Sequence, residues 1–224
     1  NMKKNKGHAR CNAFGIRYIN QNEKFDYLIL MDGDGEDRAV EIKSLVNKIQ
    51  SDPNTSVVAK RVKRSEGLFF KFLYQMHKLI TLLFTGKNIN FGNYSCLTKK
   101  DADIISSKPS LWSSYSGTVK KFIKNFNEIN STRGLRYFGP SKMSFFKLLI
   151  HSLSIVAVFK LQVILRSLII IFALYFTNFF SQNIENIIYF LLIIFNLVIF
   201  LISLRESEKG LTESQNNLSS IDNQ

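Results

Sequence analysis

Two long apolar runs towards the C-terminal end restrict this chain more than any other feature. The first covers about Val163 to Phe180 and the second about Ile187 to Leu204. Each is roughly 18 residues, the short end of what crosses a bilayer core of about 30 Å. A surface helix of a water-soluble protein needs a polar face, and neither run has one. The connector Ser181 to Asn186 carries no Lys or Arg, whereas Lys147, Lys160 and Arg166 precede the first span and Arg205 and Lys209 follow the second. The positive-inside rule therefore puts both flanks in the cytosol and the connector outside. The expectation is an integral, multi-pass membrane protein, with a two-helix transmembrane hairpin over 161–204 and a cytosolic domain before it. Residues 143–160 read as an interfacial amphipathic helix, with Phe145, Phe146, Leu149, Leu153, Val156 and Phe159 on a broad apolar side. Residues 205–224 are mildly acidic and rich in Ser, Asn and Gln, and are expected to be a disordered cytosolic tail.

Charge narrows the partners. The formal net charge is +13, and the Lys/Arg excess lies mostly before Arg166. Such a balance favours anionic lipid, phosphorylated substrates or nucleic acid. Nucleic acid is the weakest of these, because the basic residues adjoin the apolar runs and no aromatic–basic sheet motif is present. Cys11 and Cys96 give no disulfide framework, and His8, His77 and His151 are scattered without metal-ligand spacing.

The first 142 residues read as an α/β domain. Ala9 to Asn20 suits a helix, and Phe25 to Met31 (FDYLILM) a buried parallel strand. Val40 to Gln50 is amphipathic, ended by Asp52, Pro53 and Asn54, and Ser56 to Val62 is a second strand. Strand, helix, strand points to a mostly parallel sheet. Gly67 to Phe84 is a strongly apolar helix, equally suited to the membrane interface or to a buried core. Asn90 to Leu97 reads as a strand, Lys100 to Ser106 as a short helix, and Ser110 to Gly117 as a polar aromatic loop. Arg133 to Lys142 (RGLRYFGPSK) is basic.

An acidic turn, Asp32-Gly33-Asp34-Gly35-Glu36-Asp37, follows the first strand. Ligands of open α/β sheets bind at the carboxyl ends of strands. Carboxylates one residue apart can share a divalent ion, and their hard oxygens suit Mg²⁺ or Mn²⁺ bridged to substrate phosphates. Acidic residues here also cap the following helix and complement its dipole, an equal reading for Glu36 and Asp37. An EF-hand loop fails, since its sixth position would be Asp37 and its twelfth Lys43.

Taken in order, NKGHARCNAFG (Asn5 to Gly15), LILMDGDGED, VVAKRVKRSEG and RYFGPSK resemble family 2 glycosyltransferases of the GT-A fold, in particular the dolichol- and polyprenyl-phosphate branch. That branch commonly reads D-x-D-L-Q-D at the acidic turn. Asp32, Asp34 and Asp37 match its acids, while Gly35 and Glu36 replace the Leu and Gln. Its R-x-x-G-x-S-K segment before the membrane helices matches Arg136 to Lys142, and the hairpin matches its bacterial members. The resemblance implies a Rossmann-like GT-A sheet, here without the family's first βαβ unit and its Pro-x-Tyr/Phe-Asn-Glu motif, so this stretch alone would hold an incomplete donor site.

The resemblance implies a nucleotide-sugar donor and a lipid-phosphate acceptor in a bacterial inner membrane, with homo-oligomers left open. Asp34 with Glu36 would hold the metal, and Asp32 would contact the nucleotide or its sugar. Arg61, Arg133, Arg136, Ser141 and Lys142 would hold donor or acceptor phosphates, since Arg grips phosphate bidentately; attraction of a basic surface to anionic lipid is the alternative. A phosphate monoester is already largely dianionic at pH 7 and needs no general base, and none stands out. Other membrane acceptors, such as a diacylglycerol or a lipid-linked glycan, and a non-catalytic scaffold of polysaccharide export remain rival readings.

Overall fold

A computed structural model describes residues 2–63, 68–139, 144–177 and 179–220. The chain runs α1 (His8–Asn22), β1 (Tyr27–Leu30), a 3₁₀ turn (Ala39–Glu41), α2 (Ile42–Ser51), β2 (Val57–Lys63), α3 (Leu68–Thr85), β3 (Phe91–Thr98) and α4 (Lys99–Ser106). A 3₁₀ turn (Pro109–Trp112), α5 (Tyr115–Phe122) and β4 (Asn127–Thr132) complete the α/β part. Then come α6 (Phe145–Ala157), α7 (Lys160–Thr177), α8 (Gln182–Ser203) and α9 (Glu208–Thr212).

The sheet corrects the expectation of mostly parallel pairing. Its order is β1-β3-β2-β4, with β3 antiparallel to both neighbours and only β2 and β4 paired in parallel. The helix between β1 and β2 does make them run the same way, but β3 is inserted between them. Strands β1, β2 and β4 therefore share a direction, and their carboxyl ends meet the start of β3 along one edge. Strand β4 is missing from the sequence reading because Asn127–Thr132 is almost wholly polar; only Ile129 reaches the apolar layer under α2. The segment expected as a loop, Ser110 to Gly117, is instead helical at both ends. Ser114 caps α5 by accepting from Gly117 N, and Leu111, Trp112 and Tyr115 are core residues.

The apolar runs fold as α7 and α8, both long and apolar enough to cross a membrane. Their outward faces are lined by exposed Leu165, Phe172, Tyr175, Phe190, Leu197 and Phe200. Between them Asn196 Nδ2 donates to Ser167 Oγ (2.8 Å), and Lys160 pairs with Glu206 (3.1 Å) at the base of the hairpin. Helix α3 joins this group. Arg166 Nη1 caps its C-terminal end by donating to Leu83 O (3.0 Å), and Phe84 packs with Val156, Val163 and Leu192. Both α3 and α6 also expose apolar side chains, including Phe72, Met76 and Leu79 on the first and Phe145, Phe146 and Leu149 on the second.

The hairpin is not hung from a flexible connector. At the α6–α7 junction Val158 and Phe159 are fully buried in the core of the α/β part, and Lys121 Nζ donates to Val158 O (2.7 Å). Gly117 makes room for this junction, since a Cβ there would lie 2.9 Å from Val158 Cγ2. The tail is also corrected. Residues 205–220 are ordered: Leu211 is 1% exposed in the main core with Trp112, and Lys3 N donates to Asn217 O (2.8 Å). A sparse set of apolar residues suffices because the partner surface is preformed. Replacing Leu211 with Ala should therefore lower stability by about 2–5 kcal/mol. Thermal unfolding in detergent and proteolysis after Arg205 would both report it; an unstructured tail would respond to neither.

Candidate functional site

The acidic turn leaves the carboxyl end of β1, Arg61 projects from near the end of β2, and the segment 133–139 leaves the end of β4. These three meet at one edge of the sheet, as the strand directions require. The turn is held by its own backbone first. Asp34 Oδ1 accepts from Glu36 N (3.0 Å) and Asp37 Oδ2 accepts from Asp32 N (2.9 Å). Gly35 has φ 91°, a left-handed conformation that favours glycine, and its backbone lies against the Tyr137 ring. Two bonds then lay segment 133–139 across the turn: Gly134 N to Glu36 O (2.8 Å) and Tyr137 N to Asp34 O (2.9 Å). A Cβ on Gly134 would lie 2.5 Å from Gly35 O, so the two backbones touch.

Charge completes the closure. Glu36 pairs with both Arg133 and Arg136, the latter through Nε at 3.0 Å. Arg136 also reaches Asp34 Oδ2 (3.0 Å), and Arg61 faces Asp37 (3.8 Å). Burial lowers the Arg133 guanidinium's pKa, and the nearby Arg136 adds to this, while Asp34 and Asp32 oppose it. Burial raises the Asp37 carboxyl above its ordinary range, against the pull of the Asp32 hydrogen bond and Arg61. Asp32 accepts from Asn93 Nδ2 on β3 (3.1 Å).

The expected site residues thus divide. Asp32, Asp34, Glu36, Arg61, Arg133 and Arg136 are brought together, whereas Ser141 and Lys142 lie outside the described residues. In the closed turn both expected metal-holding carboxylates are answered by arginine, Glu36 by Arg133 and Arg136 and Asp34 by Arg136. Among the described residues no group of three or more His, Cys, Asp or Glu side chains is arranged to hold a metal ion. Asn93 and Tyr137 escaped the sequence reading; an Asn inside an apolar strand offers no signal until the strand order puts it beside Asp32.

Comparison with known proteins bears on this edge of the sheet. Residues 1–110 match the family model described as Glycosyl transferase family 2. Over this stretch the chain is similar to that family. The stretch spans α1 to the 3₁₀ turn before α5, and so includes the acidic turn, Arg61 and Asn93, while segment 133–139 and the membrane helices lie beyond it. No curated protein matches the chain.

The buried carboxyl at Asp37 gives a test of the electrostatics. Its folded pKa lies above the unfolded value of 3.8, so the folded state holds the proton longer as pH rises. Stability contributed by this group should therefore fall with rising pH through that window. Asp37→Asn keeps an oxygen for Asp32 N and should remove the slope. Subtracting thermal-unfolding curves of the variant from the parent between about pH 4 and 6 isolates it; parallel curves would mean that Asp37 titrates normally.

Proposed function

We propose that the chain is a membrane-bound glycosyltransferase that moves a sugar from a nucleotide-sugar donor to a polyprenyl phosphate, with Mg²⁺ or Mn²⁺. The observation that carries the reading is the meeting of Asp32, Asp34, Arg61, Arg133 and Arg136 at the carboxyl edge of a family 2 glycosyltransferase sheet, beside helices with exposed apolar faces. The four acids of the turn and the three arginines nearly cancel. A bound diphosphate would bring further negative charge, which a divalent cation offsets. Asp34 suits that ion as one carboxylate of a site completed by substrate phosphates, the usual habit of Mg²⁺. Such an ion supplies Lewis-acid stabilisation of the departing diphosphate.

The chain's own groups have distinct work. Asp32, oriented by Asn93, contacts the nucleotide or its sugar. Arg136 sits on Asp34 in the closed turn and is within reach of phosphates arriving there. Arg133, held by Glu36, adds fixed positive charge in a partly dry setting where it acts more strongly than in water. Helices α3 and α6 carry the acceptor's phosphate at headgroup level beside this edge. An acceptor already dianionic at pH 7 attacks without a base.

Asp34→Ala should abolish metal-dependent transfer in the membrane-reconstituted protein, a loss of several kcal/mol in the transition state. Arg136→Ala should raise the donor KM ten- to a hundredfold if the guanidinium moves to phosphate, following about 1.5–3 kcal/mol for a charge-assisted contact. Full activity of Asp34→Ala, or transfer to the free alcohol as good as to the phosphate, would overturn the proposal. Orientation is separately accessible. Single cysteines labelled from outside should react at Asn183 and not at Ser214, given the Lys/Arg flanks.

A further inference from the structure

The chain has three histidines, and the fold brings His8 and His151 into ring contact with His77 nearby. His8 opens α1, His77 lies on α3 and His151 on α6. The rings of His8 and His151 stand 5.2 Å apart between centroids, tilted by 56°. His77 is close enough that its charge acts on His151. Nothing in the sequence spacing hints at this, because each histidine comes from a separate helix.

The surroundings are those of an anion site. α1 starts at Gly7 with no side-chain cap and no acidic residue in its first turn, so its leading N–H groups and dipole point towards negative charge. Burial, then His8, His77 and Arg61, all discourage a proton on His151; Asp32 alone favours one, and the ring is held neutral down to about pH 4. An incoming phosphate would reverse that balance, because each imidazole could then donate a charge-assisted hydrogen bond to it. The two helices carrying His77 and His151 are those with exposed apolar faces, so in the proposed membrane setting the trio would lie near lipid headgroups. Asp32 and Arg61 connect it to the acidic turn. A metal site fits less well, since no three such ligands among the described residues are arranged for an ion. A general base fits less well too, as a ring this hard to protonate removes protons poorly.

We propose that His8, His77 and His151 bind the phosphate monoester of the lipid acceptor, next to Asp32 and Arg61. The proposal rests on the lipid-phosphate reading given above and names the residues that would read its phosphate. Binding takes up a proton on the His151 imidazole, so it strengthens as pH falls.

The test measures binding to the protein in nanodiscs without donor. Prenyl sulfate is the first probe, because its charge does not change with pH and any proton uptake must come from the protein. Its affinity should rise about tenfold between about pH 7.5 and 5.5, and His151→Gln or His8→Gln should flatten that rise. At pH 6 the same variants should bind prenyl phosphate ten- to a hundredfold more weakly, with nucleotide-sugar binding unchanged as evidence of an intact fold. Exposed His8 keeps the test usable should His151→Gln misfold. Displacement by inorganic phosphate would show that the phosphate group itself is read; binding of the prenyl ester without displacement assigns the source to lipid.

Equal affinity in parent and variants overturns the proposal, as does Zn²⁺ binding at the trio in place of either anion. The two readings fail separately. If the variants bind and glycosylate prenyl phosphate normally, the trio is not the site and the acceptor class stands. If the parent glycosylates only the free alcohol yet binds prenyl sulfate with proton uptake at the trio, the acceptor class falls and the anion site stands.

Discussion

Three arginines laid over four carboxylates hold the working edge of this protein together. Asp37, nearly buried, is viable only because Arg61 and the Asp32 amide answer its charge. Glu36 is shared between Arg133 and Arg136, and through them the segment after β4 is fastened across the loop after β1. Removing one member of such a partly buried network leaves a charge without compensation, which typically costs about 3–5 kcal/mol. The backbone contacts at Gly35 and Gly134 explain why glycine is required at both: the two segments touch main chain to main chain. In the proposed reaction the same closure would set these cations beside the donor's diphosphate, so stability and ligand binding would draw on one set of residues.

The two long apolar helices are continuous with this arrangement. Val158 and Phe159 turn the chain from α6 into α7 inside the core of the α/β part, and Arg166 ties α7 back to the end of α3. The hairpin thus fixes the orientation of the sheet relative to whatever surface α7 and α8 enter. The ordered tail packs Leu211 into the same core with Trp112.

Legibility in the sequence followed the range of the signal. Spans 163–180 and 187–204, the amphipathic α2 and the acidic turn after a buried strand were readable, since each depends on neighbours a few residues away and on a period set by backbone geometry. Strand β4 was not, because an edge strand with solvent on one side needs little apolar residue content. The tail was misread for a related reason: composition averages over the residues, whereas one Leu and a preformed pocket decide whether they order. Ser110 to Gly117 reads as a loop from its serines, whereas Ser114 caps α5 and Ser110 Oγ accepts from Thr118 Oγ1 inside the core.

By itself the sequence determined two helices long and apolar enough to cross a membrane, the α/β character and the acidic turn, all local consequences of hydropathy period and turn chemistry. Tertiary structure alone decided the insertion of β3 between β1 and β2, the capture of Glu36 by Arg133 and Arg136, and the contact of His8 with His151. Those depend on contacts between residues far apart in the chain, which strand order and helix packing select and no local pattern encodes.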